Sequence, residues 1–315
     1  MSKVEKILLI TFAALIPVGL ILVVLGLKFG GTKGWSVNVD EMKYTDNGTM
    51  VEKTLDLDEF DKISAKIASA DMTVQTGDSY QLYYKVREGR EPIVNVSGKK
   101  LTIDKPKQIT FFSFDFNTES DKYVLTVPAG NKEYAVDLTT SSGEINVDKV
   151  AMAGNLQMSS GDITLHDFDS TGLEIKASSG DLIMENVNPE NLNITISSGA
   201  VKGSGITAKT VSATASSGDM VFEDLKAGEA NFKISSGEIV VNNGTLEVVN
   251  GKMTSGDITL NLSGKRDDYD FDLSATSGEM TIDGEEFEKS YLKEAGKKNK
   301  ITMKATSGDV DVNFQ

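Results

Sequence analysis

Eight carboxylates recur at near-constant spacing from residue 144 onward in this chain. Glu144, Asp162, Asp181, Asp219, Glu238, Asp257, Glu279 and Asp309 each follow a glycine, and only Ala200 interrupts the series. A row of oxygen ligands could hold Ca²⁺ or the counter-cations of a wall polymer. The same row could be a solvated corner whose carboxylates accept turn amide bonds and whose charge discourages aggregation. The second use is favoured, because the Gly-Gly-x-Gly-x-Asp nonapeptide of calcium-loading solenoids is missing from the sequence. Two charges about 5 Å apart repel by roughly 1 kcal/mol in water, less in salt, so such a row is tolerable.

Other reactive groups are sparse. The one histidine, His166, lies between apolar Leu165 and Phe168, where strand alternation points it outward. A lone surface imidazole makes neither a catalytic triad nor a metal site. The chain has no cysteine, which excludes disulfides, thiolate metal sites and cysteine nucleophiles. No GxSxG, Walker or GxGxxG motif occurs. A polysaccharide-acting β-helix enzyme would need acid and base groups converging in a cleft. Here the acids are spread evenly, so the expectation is a protein with no catalytic residue and no cofactor, hence no enzyme. Nucleic acid is excluded as a partner by charge: 47 acidic against 32 basic residues give a net −15.

The elements that carry these acids follow from a repeat. Ser141-Ser142-Gly143-Glu144 recurs as a turn centred on Gly161, Gly180, Gly199, Gly218, Gly237, Gly256, Gly278 and Gly308. Five successive intervals are nineteen residues long, and the last two are 22 and 30. Apolar residues precede each glycine by seven, five and three positions, as in Leu192, Ile194 and Ile196. They follow it by two and four, as in Ile163 and Leu165. Each period is therefore two half-buried strands joined at a glycine corner. Early copies add Val150, Phe168, Val187, Ile206 and Leu225 at plus seven, a possible third corner that later copies lose. One such coil cannot bury both strands, but coils stacked about 4.8 Å apart share an axial core. The expected fold is all-β: a parallel β-solenoid with its turn glycines at φ > 0.

Residues 52–135 read as irregular opening β coils or a cap, with Ser69-Ala70-Asp71-Met72 a decayed turn, and 136–315 as the regular solenoid. The phenylalanine-rich stretch from Lys105 to Asn117 is expected to cap the solenoid end. An insertion near 285–298 breaks the register and suggests a short amphipathic helix. The closing strand, Val310-Asp311-Val312-Asn313-Phe314, has no obvious cap, and an open edge there would permit self-association.

At the other end, residues 7–27 run without a charge for about 30 Å of helix, one bilayer core. The expectation is a single-pass transmembrane helix after a six-residue cytoplasmic head (1–6), followed by a linker (28–51). Lys3 and Lys6 nearly balance Lys28 and Lys33, and the N-terminal amine tips the head inward and the body outward.

With the repeats laid out, the chain resembles the bacterial DUF4097 family of unknown function. Its members carry an adhesin label and include membrane-anchored LiaG-like proteins. The likeness rests on the N-terminal anchor, on Leu57-Asp58-Glu59-Phe60-Asp61-Lys62-Ile63, on Leu125-Thr126-Val127-Pro128-Ala129-Gly130 and on the SSGD/SSGE series. It implies a β-solenoid on a bacterial envelope, linked in some cases to envelope-stress signalling, and supplies no catalytic residue. The expected role is a noncatalytic, adhesin-like scaffold that meets a cell-wall polymer or a membrane sensor protein. A self-assembling, bactofilin-like filament is the alternative.

Overall fold

The computed structural model describes residues 35–38, 43–46, 49–67, 69–105, 110–114 and 120–315. The expected transmembrane span, 7–27, lies outside them. Among the described residues no helix is long and apolar enough to cross a membrane.

The chain divides into two compact units. The smaller holds residues 1–52, 85–91 and 106–121. In it Trp35–Asn38 pairs antiparallel with Lys43–Asp46 on one side and with Thr110–Phe114 on the other. The stretch read as a linker thus supplies two strands. The phenylalanine-rich segment, expected as a cap on the solenoid, supplies a strand to this separate sheet, as its alternating, aromatic-rich composition favours.

The larger unit holds 53–84, 92–105 and 122–315 and contains the repeats. The strands before each glycine form one stack and the strands after it another, all in parallel register. Leu173–Ser179 lies on Asn191–Ser198, Leu173 against Leu192 and Ile175 against Ile194. In the second stack Ile163 lies on Leu182 and Leu165 on Met184. A nineteen-residue step is odd, yet no side chain changes face, because each repeat absorbs the extra residue at its corners rather than in its strands. The inward columns, such as Ile145, Ile163, Leu182, Val201, Met220, Ile239 and Ile258, are all fully buried. Their neighbours two residues on complete one axial core. Lys226–Leu262 is a single unbroken run of strand geometry that passes through two of the glycine turns.

The coils do not stack in chain order. Asn299–Ser307 inserts between Lys226–Leu262 and Tyr269–Ser277, pairing parallel with both. Val310–Phe314 likewise sits between Lys226–Leu262 and Met280–Ile282. The closing strand is therefore interior, and the open edge expected there does not exist. Beyond the Gly278 coil, the stretch expected to be helical forms two strands: Glu285–Phe287 antiparallel to Met280–Ile282, and Ser290–Lys293 antiparallel to Tyr269–Ser277. At the opposite end Lys62–Lys66 stacks on Tyr134–Thr140, followed outward by Lys100–Asp104 and then by antiparallel Ile93–Ser97.

Candidate functional site

The glycine corner is the most regular chemical feature of the molecule. All nine turn glycines have φ between +110° and +127°. A Cβ on Gly218 would fall on the carbonyl of Gly199, and one on Gly199 on that of Gly180. The contacts run in spatial order, so Gly308 abuts Gly256 and Gly278 abuts Gly308. Glycine is required twice over, by backbone conformation and by the closeness of the next coil. The decayed turn joins the column, since the carbonyl of Ala70 occupies the same place beneath Gly143.

The carboxylates after these glycines are exposed, apart from half-buried Asp309. They form a row, and the row is bonded to the backbone. The Asp181 amide donates to Asp162 Oδ1 (2.8 Å) and the Ala200 amide to Asp181 Oδ1 (2.9 Å). Glu238 donates to Asp219 (3.0 Å), Asp309 to Asp257 (2.9 Å), Glu279 to Asp309 (2.8 Å) and Glu144 to Asp71 (3.1 Å). Each aspartate thus holds the amide at the same position of the next coil. The longer glutamates, Glu144, Glu238 and Glu279, make no such bond among the described residues. No group of three or more histidine or acidic side chains is arranged to hold a metal ion among the described residues.

His166 is half-buried on the outer side, and its Nδ1 lies 3.3 Å from Glu185 Oε2 on the next coil. The imidazole read as solitary therefore has a carboxylate neighbour, which the nineteen-residue period places beside it.

Several features escaped the sequence reading. Lys149, Asp167, Asn186, Asp224 and Asn243 share a left-handed conformation with φ of 53–57°. This second corner column, with Gly205 (φ 64°) in the place before Ile206, turns the plus-seven residues Val150, Phe168, Val187, Ile206 and Leu225 into the core. Asparagine and aspartate adopt that conformation more readily than most residues, which was the available signal. On the adjoining outer face Asn313, Asn261, Asn242 and Glu223 form a chain of side-chain bonds of 2.7–3.0 Å.

Two charged clusters of the larger unit stand outside the repeat among the described residues. Lys132 Nζ donates to Glu59 Oε1 (2.9 Å), the Phe60 carbonyl (2.7 Å) and Tyr80 Oη (3.1 Å), and lies over the rings of Tyr80 and Tyr134. Burial alone would lower the Lys132 pKa, but its bonds to Glu59 and Tyr80 raise it overall. The Tyr134 phenol is pushed well up, by burial first and then by Tyr80. All three ammonium donors are used, so the cluster is a clasp between the opening segment and the first regular coil. At the far end Arg266 bonds Glu285 (2.7 Å) and lies over Phe287 and Tyr291, fastening the terminal strands. Beside it, Asp270 accepts the amides of Ala295 (2.8 Å), Gly296 and Lys297 (both 3.1 Å). Those bonds hold its carboxyl below the usual range.

With this geometry in view, the model of the family described as Toastrack DUF4097 matches residues 60–313. The chain belongs to that family. The match spans the opening coils, the nine glycine turns and the terminal strands, so the solenoid-like stack is the Toastrack domain itself. No curated protein sequence matches. Similar solved structures include two putative adhesins. One is from Bacteroides fragilis, with 13% identity over 84% of this chain and 97% of that chain and a TM-score of 0.39. The other is from Parabacteroides distasonis, with 9% identity over 85% and 97% and a TM-score of 0.36.

Proposed function

We propose that this Toastrack protein is a noncatalytic, adhesin-like scaffold of the bacterial envelope, held in the membrane by residues 7–27 with its body outside. The observation that carries the reading is the use made of the acids. The carboxylates that could have done chemistry are spread at most one per coil, and the aspartates among them are bonded to backbone amides, joining coil to coil. A stack built in this way offers long, uniform outer faces. Its mechanism is contact and spacing, with a wall polymer or a sensor in the same membrane as the partner.

Protease accessibility tests the reading. In intact cells, protease added outside should digest the body. Protection that persists after the wall is removed, and ends only when the membrane is opened, would put the body in the cytoplasm and refute the envelope role.

A further inference from the structure

Two large apolar side chains stand more than half exposed among the described residues, Ile93 at 58% and Leu292 at 66%. They occupy opposite ends of one stack in the larger unit. Ile93 lies in Ile93–Ser97, which pairs with Lys100–Asp104, and Leu292 in Ser290–Lys293, which pairs with Tyr269–Ser277. Neither strand has a partner on its other side among the described residues. Both side chains lie on the outer face. Leu292 is opposite Asp272, between inward Phe271 and Leu273, and Ile93 is opposite Asp104, next to inward Ile103.

The two strands also agree in direction. Each runs antiparallel to the coils it covers, and the coils are parallel throughout. Two copies stacked in the same orientation therefore bring Ser290–Lys293 of one beside Ile93–Ser97 of the next as parallel neighbours, with Leu292 and Ile93 on one face. Residues 55–58 lie beside residues 94–96 at this end. Residues 283–294 carry five carboxylates against Lys289 and Lys293, whereas the strand pair 93–105 carries Lys99, Lys100 and Lys105 against Asp104, with Asp56 and Asp58 beside it, so the acidic edge meets one without net negative charge.

We propose that these two edges join copy to copy, head to tail, continuing the sheet from one molecule into the next. The occupant of each edge is a second copy of this chain, and the contact is heterologous, so it does not close on itself. The joint is short. Pro92 lacks an N–H and Lys293 brings a charge to the edge, which confines pairing to about four residues and makes it weak and reversible. The proposal is independent of the scaffold role, because a monomeric scaffold would pass the protease test.

The test is sedimentation equilibrium of the full-length chain in detergent micelles. The wild type should gain mass with concentration and pass beyond two chains. Ile93→Glu and Leu292→Glu each spoil one edge, and each alone should stay monomeric. Mixed in equal amounts, they retain one sound edge apiece and should stop at two chains. Both residues are exposed, so both variants should keep the wild-type circular dichroism. A wild type that stays monomeric up to about 100 µM, the range in which a weak joint forms, overturns the proposal. So does a wild type that stops at two, a variant that still grows, or a mixture that stays monomeric.

Discussion

Substituting Gly218 by alanine should be among the most damaging single-methyl changes in the molecule, and the reasons for its cost are separable. The glycine has φ +121°, a conformation that costs an L-residue about 1–3 kcal/mol. Its Cβ would also meet the backbone carbonyl of Gly199, which cannot rotate away. Relief requires the Gly218 coil to slide on the Gly199 coil, weakening bonds between them such as that from the Val201 amide to the Asp219 carbonyl (2.8 Å), each worth about 0.5–1.5 kcal/mol. The expected loss is about 2–4 kcal/mol. Two other glycines isolate the terms. Gly264 has φ +129° with open space around its Cβ position, so Gly264→Ala should cost the conformational part alone. Gly130 has open space and no positive φ, so Gly130→Ala should be neutral or gain up to about 1 kcal/mol. Urea denaturation of the full-length variants, followed by circular dichroism, reads all three, with an unchanged m-value as the check on comparability. If Gly218→Ala proves no worse than Gly264→Ala, the close approach of successive coils is not what demands glycine there.

The aspartate row gives a chemical contrast. Asp181→Asn with Asp219→Asn keeps an oxygen acceptor and should leave the melting temperature nearly unchanged, while the double alanine variant should lose roughly 1–2 kcal/mol from two exposed amide bonds. Added Ca²⁺ should raise neither the wild type nor the asparagine variant; a wild-type rise would mean the row binds cations besides holding amides. Asp270 gives a pH dependence. Its carboxyl is held below the ordinary value, near 3.9, so its stabilisation is complete above that pH and is lost as pH falls through the lowered folded value. The difference in melting temperature between wild type and Asp270→Asn should therefore hold from about pH 6 to 4 and shrink below; a constant gap down to pH 2 would refute the assignment. Lys132→Met should cost about 1–2 kcal/mol through its lost bonds to Glu59, Phe60 and Tyr80. Thermal melts that show no loss would mean that the clasp does not contribute to stability.

The glycine register and the inward columns were legible in the sequence because the same residue types meet the same demand at each turn. The decayed turn was legible too: Asp71 kept the acid and Met72 the first inward position, although Ala70 replaced the glycine. The order of the final coils was not legible. Every coil presents similar apolar columns, so a coil beginning at Asn299 fits against Lys226–Leu262 as well as its chain neighbour would. A faint signal existed in size matching. Gly251 leaves the space into which Met303 packs, and a Cβ at Gly251 would strike that sulfur. The helix expected near 285–298 failed because charge and register loss also describe short strands that cover a sheet end. The Lys132 clasp joins residues more than fifty positions apart, and no local pattern announces that.

The interleaved coil near the end of the stack also bears on how the chain acquires its structure. From Gly161 to Gly256 each turn finds its surface on the turn made just before it, so growth over that stretch can proceed in step with synthesis. The Gly278 coil has no such template. The surface it rests on belongs to the Gly308 coil, thirty residues further along, which a ribosome delivers roughly 2–6 s later. During that interval the Gly278 coil must wait or settle on the Gly256 coil in a place it later has to yield. The interleaving thus acts as a completion checkpoint: a chain stopped short of residue 299 would lack the layer that separates its two neighbours, and would expose the unpaired strands on which aggregation and quality control act.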